Sequence, residues 1–516
     1  MFIDTADIQP NAELTAELCI VGAGAAGIAM AKALIRSGID VLLLEGGGRK
    51  KTKASQAIYR GKMQAGLKST DHYVHTSRLR YFGGTSNHWA GWCRPLDPID
   101  FEARDWVPHS GWPITRAELE PWYVAAAKFI GIGPFKDIDA WKNNKRRPFL
   151  LQDNPHFEPK LFHFAVPPPR FGKKYGRLLE RSRTTRVVFD ANVTAVRAHS
   201  NLKAVDHLDV RTMGGKTFTV RAKRYVLAAG GIENPRLLLS SDQEQAGGLG
   251  NGNDLVGRFF SDHLETGAKA GQLALIDPAL VNDPSSISRT YTNRVRDPLV
   301  GRTVTRGIIS ISPETLKAER MLQVSMRPDL VRKTDLAEMG RSVGDAAAAL
   351  IKEAESEKSG HVPCIVRTQA EPEPNPENRV RLSADRDNFG MRRVDIKWTH
   401  SDLENRSHIR AWQLLAREMG KAKLARVRVR MPLDPKNPVG STHGAAHHMG
   451  TTRMHHDPKR GVVDANCRVF GIDNLYIAGS SVFPTYGWAN PTTSLVALAL
   501  RTASHLETLI TAEKAP

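Results

Sequence analysis

The stretch "ELCIVGAGAAGIAMAKALIRSGIDVLLLEGG", residues 17 to 47, constrains the fold more than any other part of the chain. A short apolar strand, Leu18 to Val21, enters Gly22-Ala-Gly24-Ala-Ala-Gly27. A helical pattern follows, Gly38 ends it, and a second apolar strand closes on Glu45. Each piece has a physical task. Gly22 permits the tight turn, and Gly24, with Ala25 and Ala26 at the helix start, lets a pyrophosphate approach the backbone. Gly27 allows the helix to pack closely on the strand, and Glu45 accepts hydrogen bonds from ribose hydroxyls. A bare GxGxxG is weak, but strand, turn, helix, second strand and acid arrive here in order, so the chain is expected to open with a dinucleotide-binding α/β unit.

The fingerprint alone does not separate NAD from FAD. Two later stretches favour FAD: "KRYVLAAGGIENPRLLLSS" (223 to 241) and "NLYIAGSSVFPT" (474 to 485) each read as a buried strand running into a glycine turn. They return the chain to the nucleotide domain far from its start. A second fingerprint for NAD(P)H is absent.

At 516 residues the chain exceeds what one core supports, so two domains are expected. Hydrophobic residues at 41% and charged residues at 25% exclude a disordered chain. The sequence has no apolar run able to cross a bilayer, and its start lacks a basic segment followed by an apolar one, so a cytoplasmic location without a membrane partner is expected. The four cysteines, Cys19, Cys93, Cys364 and Cys467, form no CxxC pair, which excludes iron–sulfur, zinc-ribbon and attached-haem readings. The formal charge of +19 invites a nucleic-acid reading, but the basic residues are spread along the chain. The densest cluster, "WKNNKRRPF" at 141 to 149, reads as a solvated surface, and no nucleic-acid partner is expected. A weaker reading is that the surplus steers an anionic substrate or redox partner.

The order of segments resembles the glucose-methanol-choline (GMC) family of FAD-dependent oxidoreductases over essentially the whole chain. Carrying the resemblance are the fingerprint, "YFGGTSNHWAGW" (81 to 92), "AAGGIENPRLLLSS", "DLVGRFFSDH" (254 to 263), "PNPENRVRLSADRDNFGM" (374 to 391) and the C-terminal "HHMGTTRM" through "NPTTSLVALALRTASHL". Within the family the chain is most similar to the branch of pyranose oxidases and bacterial sugar and glycoside 3-dehydrogenases and oxidases. The resemblance implies an α/β FAD-binding domain, Rossmann-like and of the glutathione-reductase type, plus an α+β substrate domain on an antiparallel sheet. It places FAD-binding segments at 1–95, 181–263 and 436–516, a lid or connecting segment that is partly substrate domain at 96–180, and the substrate domain at 264–435. Near alternation of apolar and polar residues in "CIVRTQAEPEP" and "RVRLSADRDNFGMRRVDIKWTH" agrees with strands in the last of these, and "GDAAAALIKEAESEKSG" reads as a solvent-exposed helix.

Carried onto this sequence, the resemblance makes His447 the catalytic base and Asn490 its hydrogen-bonding partner. A neutral imidazole suits that task, because the hydroxyl proton must leave as hydride passes from carbon to flavin N5. Asn490-Pro491 also reads as a helix start, whose N-terminus would stabilise an anionic reduced ring. Gly84, Thr85, Asn87, His88, Trp89 and Ala90 are expected along the flavin, and Val193, Gly479, Ser480 and Thr492 join them as cofactor contacts. His88 falls where some relatives carry a histidine covalently joined to the flavin; a non-covalent contact is the favoured reading. The pyranose oxidases usually have threonine where this chain has Ala90. Gln369 and Glu371 are candidates for binding sugar hydroxyls or, equally, an exposed strand end. His448 reads as a packing residue, or one that supports the residues around it, rather than a metal ligand, and no metal is expected.

The expected activity is oxidation of a ring secondary alcohol, at C2 or C3 of a sugar or an O- or C-linked glycoside, to a ketone. Electrons would then pass to dioxygen or a quinone-like acceptor. A lyase on the same scaffold, with FAD a structural relic, and the catalytic subunit of a cytochrome-linked sugar dehydrogenase are the alternatives.

Overall fold

The computed structural model describes residues 1–65, 71–135, 149–266, 273–277, 290–291, 295–296, 304–330, 362–428 and 442–514. The basic cluster at 141–148 and the helix expected at 344–360 lie outside them.

Strands Glu13–Val21 and Val41–Glu45 pair in parallel across helix Ala25–Ala33, with Leu18 opposite Val41 and Val21 opposite Leu44. All five residues of Val41–Glu45 are buried, as the continuous apolar run of a strand covered on both faces requires. Around this pair the sheet runs Phe2–Asp4, Thr185–Phe189, Val41–Glu45, Glu13–Val21, Thr217–Leu227. The start of Thr217–Leu227 pairs antiparallel with Val205–Arg211, and its end, Tyr225 to Leu227, pairs parallel with Leu475–Ile477. Front, middle and end of the chain thus build one sheet. The closing helix, Thr492–Ala512, packs against Ala25–Ala33 and against helix Arg116–Ile130.

Among the described residues the second sheet has nine strands, every pairing antiparallel. Its centre is Phe157–Phe164, Val304–Ile311, Val324–Leu330 and Val362–Ala370, flanked by Leu264–Thr266 and Thr442–Gly444. Helix Asp402–Lys421 lies against it, started by Ser401 and Glu404, whose side chains satisfy each other's backbone N–H groups. Its Trp412 and the neighbouring Trp398 are fully buried in a core separate from that of the nucleotide sheet.

The two-domain, mixed α/β plus antiparallel architecture is the expected one. Its boundaries are more interleaved than sequence reading suggests. Gly61–Ala65, from the front segment, pairs in parallel with Arg392–Trp398 in a three-stranded sheet, and Thr442–Gly444 crosses from the closing segment into the antiparallel sheet. Among the described residues no helix is long and apolar enough to cross a membrane.

Candidate active site

A cavity of about 560 Å³ runs between the glycine turns of the nucleotide sheet and the front of the antiparallel sheet. Gly22, Gly24, Ala25, Ala26 and Glu45 line one end; His447, Asn490 and Thr492 line the other. The backbone is shaped for a ligand. Gly22 has φ +106°, and a Cβ there would stand 2.8 Å from the Ala228 carbonyl oxygen. A Cβ at Gly24 or Gly479 would meet no protein atom within 4 Å and would project into the groove. Helix Ala25–Ala33 begins at Gly24 with no side-chain cap, leaving its first N–H groups for an anion. Glu45 accepts the N–H of Ala23 at 3.1 Å and of Gly47 at 2.8 Å, which aims its carboxylate across the groove mouth.

Gly84, Thr85, His88, Trp89, Ala90, Val193 and Ser480 line the same cavity. Asn87 and Gly27 do not: Asn87 donates to the Phe82 carbonyl at 2.9 Å and braces the loop, and a Cβ at Gly27 would lie 1.9 Å from the Gly22 carbonyl oxygen. Trp89 Nε1 donates to the Pro169 carbonyl at 2.7 Å, and Arg170 donates to the Trp89 carbonyl at 2.8 Å. His88 is exposed, and partial desolvation, with Lys51 and Arg170 nearby, lowers its pKa.

At the other end a chain of hydrogen bonds decides the protonation of His447. His263 Nε2 is 2.9 Å from the Gly487 carbonyl, which only accepts, so Nε2 carries the proton and Nδ1 is bare. His447 Nδ1, 2.9 Å from that bare nitrogen, must therefore donate, which leaves His447 Nε2 unprotonated and able to accept. The same answer comes from the opposite side. Gln369 Nε2 donates to the Trp488 carbonyl at 2.6 Å and reaches Asn490 Oδ1 at 3.4 Å, turning Asn490 Nδ2 toward His447 Nε2 at 3.0 Å. Burial, with His263 and His448 close by, holds His447 well below the usual imidazole range, and burial places His263 at about 4. Both are neutral at physiological pH.

The loop carrying His447 wraps around one carboxyl. Asp262 Oδ1 accepts the N–H groups of Ala445 at 3.1 Å and His447 at 2.9 Å; Oδ2 accepts that of Ala446 at 3.1 Å and meets the Tyr73 hydroxyl. Burial raises Asp262 to about 8, with the backbone donors acting against the rise and Glu265 adding to it. Ala446 takes φ +61°, the bend that lets successive N–H groups converge. His448 is a packing residue. Its ring stacks on Phe260, meets Tyr73 edge-on, and is pushed to about 3 by burial and Arg78. Ser480 Oγ donates to its carbonyl at 2.7 Å.

A second cavity, about 460 Å³, opens on the far side of Asn490. Trp92, Glu265 and Asn490 line both, and Gln369 lines the second. Glu371 joins neither: it is fully buried, and Arg104 holds both its oxygens at 2.9 and 2.5 Å. The strand ends at Ala370, one residue before Glu371, so Glu371 is neither part of the sheet face nor an exposed strand end. Among the described residues no three His, Cys, Asp or Glu side chains gather as a metal site.

Two family models match. Residues 17–308 match the FAD dependent oxidoreductase model, more than half of the chain, and residues 374–499 match the GMC oxidoreductase C-terminal model. The chain is an FAD-dependent GMC oxidoreductase. Relatives of this GMC enzyme include the 6'''-hydroxyparomomycin C oxidase of Streptomyces lividus, 26% identical over 97% of this chain and 92% of that one. The fructose dehydrogenase large subunit of Gluconobacter japonicus is 24% identical over 96% of this chain and 98% of its own. The C-glycoside 3-oxidase of Microbacterium trichothecenolyticum is 28% identical over 60% of this chain and 50% of its own. Among solved structures, formate oxidase superimposes with a TM-score of 0.58 at 15% identity, covering 97% of this chain and 99% of that one. Pyridoxine 4-oxidase from Mesorbium loti gives 0.57 at 18%, covering 95% and 99%.

FAD is thus the group for the groove, and the residues fit it: a glycine cradle and acid at one end, a neutral imidazole and amide at the other. His263, Asp262 and Tyr73 of the GMC enzyme have no sequence signal of their own. The first two sit inside "DLVGRFFSDH", which marks the family but reveals no spacing to His447.

Proposed function

We propose that this enzyme oxidises a secondary ring hydroxyl, at C2 or C3 of a sugar or an O- or C-linked glycoside, to a ketone, and passes the electrons to dioxygen or a quinone-like acceptor. The observation that carries the reading is the bare Nε2 of His447, 3.0 Å from Asn490 Nδ2 and beside the wall shared by the two cavities. Relatives named for the oxidation of sugars and glycosides support the substrate class.

Bound FAD supplies the acceptor for the hydride that leaves carbon. The chain supplies the rest. A hydroxyl that displaces the direct Asn490–His447 hydrogen bond donates its proton to His447 Nε2 and accepts the freed Asn490 N–H, which keeps an oxygen lone pair aligned as the carbonyl forms. The resulting imidazolium is steadied by the bare nitrogen of His263, to which His447 Nδ1–H already points. Gln369, anchored on the Trp488 carbonyl, holds the Asn490 amide in the donating orientation. General acid–base assistance of this kind contributes on the order of 10² to 10⁴ in rate.

The test is anaerobic mixing of the FAD-loaded enzyme with a panel of monosaccharides and glycosides, followed by identification of the product. Bleaching of the oxidised flavin with formation of a 2- or 3-keto sugar is expected. His447→Ala should keep FAD and lose bleaching by at least about 10²-fold; rapid bleaching in that variant removes His447 as base. Turnover without bleaching would instead mark a lyase.

A further inference from the structure

From the wall of the second cavity a chain of three side chains leads back into the core. Thr266, on Leu264–Thr266, and Thr368, on Val362–Ala370, both line that cavity, together with Gln369 and Asn490. The strand register sets the two threonines directly opposite each other, and their hydroxyl oxygens lie 2.6 Å apart. Behind them, Thr368 Oγ1 is 2.7 Å from Nε2 of His408, on helix Asp402–Lys421. A facing threonine pair alone is an ordinary sheet contact, in which either hydroxyl can donate. The histidine behind this pair gives it a direction.

His408 is fully buried, and burial, with His400 nearby, lowers its pKa to about 4, so the ring is neutral and carries one proton. Among the described residues Nδ1 has no hydrogen-bond partner. A proton there would be a buried N–H left unpaired, whereas a bare Nδ1 strands only a lone pair, and orphaned buried N–H groups are the rarer case. The proton therefore sits on Nε2 and is donated to Thr368 Oγ1. Thr368 turns its own hydrogen to Thr266 Oγ1, and among the described residues the Thr266 hydroxyl has no further partner. Its hydrogen is thus offered at the cavity that Thr266 lines. Reversed, the chain would end on an unpaired donor in the core; as it stands, it ends on a donor at the cavity wall.

Resting on the sugar-oxidation reading above, we propose that Thr266 donates a hydrogen bond to a second oxygen of the substrate, one that does not react. His408, acting through Thr368, is the positioning residue that keeps this donor turned outward. Asn490 and Thr266 then hold one ligand at two of its oxygens, which selects a ring bearing several oxygens over a simple ring alcohol of the same size. A ring ether, a glycosidic oxygen and a hydroxyl all supply the acceptor that the Thr266 O–H requires.

The test uses anaerobic reduction of the FAD-loaded enzyme by methyl glucoside and by analogues with one oxygen altered at a time: carbon for the ring oxygen, carbon for the glycosidic oxygen, hydrogen for each hydroxyl. Beyond the analogue that lacks the reacting hydroxyl, one should fall about tenfold in kcat/KM, because it leaves the Thr266 donor unpaired. Its identity says which oxygen is held. Thr266→Val should lower the intact glucoside about three- to tenfold and leave that one analogue within about twofold, while Thr266→Ser keeps the parent pattern. His408→Phe should reproduce the Thr266→Val pattern, and His408→Gln, whose amide still donates to Thr368, should restore most of the loss. No loss in Thr266→Val, or equal losses across all the analogues, overturns the inference and leaves sugar oxidation standing. Nitrogen-15 NMR of the histidine-labelled enzyme, with His408→Gln identifying the signal, reads the direction itself. A proton on Nε2 is expected, and a proton on Nδ1 overturns the inference. If no compound bleaches the flavin, the sugar-oxidation reading fails for this set and the tautomer decides: Nε2–H sustains a donor at Thr266, Nδ1–H removes it.

Discussion

His263 and His447 meet through their Nδ1 atoms at 2.9 Å, and that contact, with the Gly487 carbonyl behind it, leaves the lone pair of His447 on the nitrogen that faces Asn490. His263→Phe removes the acceptor and lets His447 place its proton on either nitrogen. Expected is a fall in kcat of about 10- to 100-fold with flavin content and substrate affinity retained. His263→Gln, whose amide offers both an acceptor and a donor, should recover most of the loss. Steady-state kinetics of the two variants check this, and equal defects in both would make His263 a packing residue only.

Asp262 gathers the backbone N–H groups of residues 445 to 447. Asp262→Ala removes the acceptor of three backbone donors in a half-buried loop, of which Ala446 keeps the Tyr73 hydroxyl at 3.2 Å, at up to about 1–3 kcal/mol for each group left unsatisfied. Lower thermal stability together with a loss of kcat is expected, since the loop carries His447. Calorimetry beside the kinetics separates the two, and Tyr73→Phe should show the milder version of both.

Gly24 meets no protein atom where its side chain would be. Gly24→Val therefore fills space meant for the pyrophosphate without disturbing the fold. The purified variant should be colourless yet show the far-ultraviolet circular dichroism of the parent. A yellow, active Gly24→Val enzyme would place the dinucleotide elsewhere.

His88 lines the cofactor groove on a loop braced by Arg170 and Trp89. Contact without a covalent bond is the expectation, so acid precipitation should leave the flavin in the supernatant, and His88→Ala should still bind FAD. Colour that stays with the pellet overturns it.

Among the described residues neither ring nitrogen of the buried His163 has a hydrogen-bond partner, and burial, aided by Arg94, holds it at about 3. Above about pH 6.5 it is neutral folded or unfolded and adds no pH dependence. Below that value the unfolded chain takes up a proton that the folded chain refuses, so stability falls as pH drops toward 3. His163→Leu removes one such site. The slope of unfolding free energy against pH, measured by denaturant titration between pH 6 and 4, should flatten by about 1.4 kcal/mol per unit.

What the sequence discloses is what lies close together along it. The fingerprint, its helix and Glu45 span fewer than thirty residues, and local sterics dictate each glycine, so that unit is legible at once. His447 and Asn490 are recognisable through the family resemblance alone; no periodicity joins them. His263 meets His447 across 184 residues, and Thr266, Thr368 and His408 come from two strands and a helix, so neither grouping exists until the antiparallel sheet forms. Glu371 shows the opposite failure: its sequence position suggests an open sheet face, but Arg104, 267 residues away, claims it.

The nucleotide sheet takes Leu475–Ile477 as one of its strands, and Asn490 and Thr492 follow it. A nascent chain that has not yet reached this point has its glycine fingerprint in place but only a half-built groove. Flavin loading therefore waits for the segment from Leu475 to Thr492. A deletion that begins before Leu475 removes Gly479, Ser480, Asn490 and Thr492 at one stroke, so cofactor contacts and the partner of His447 are lost together.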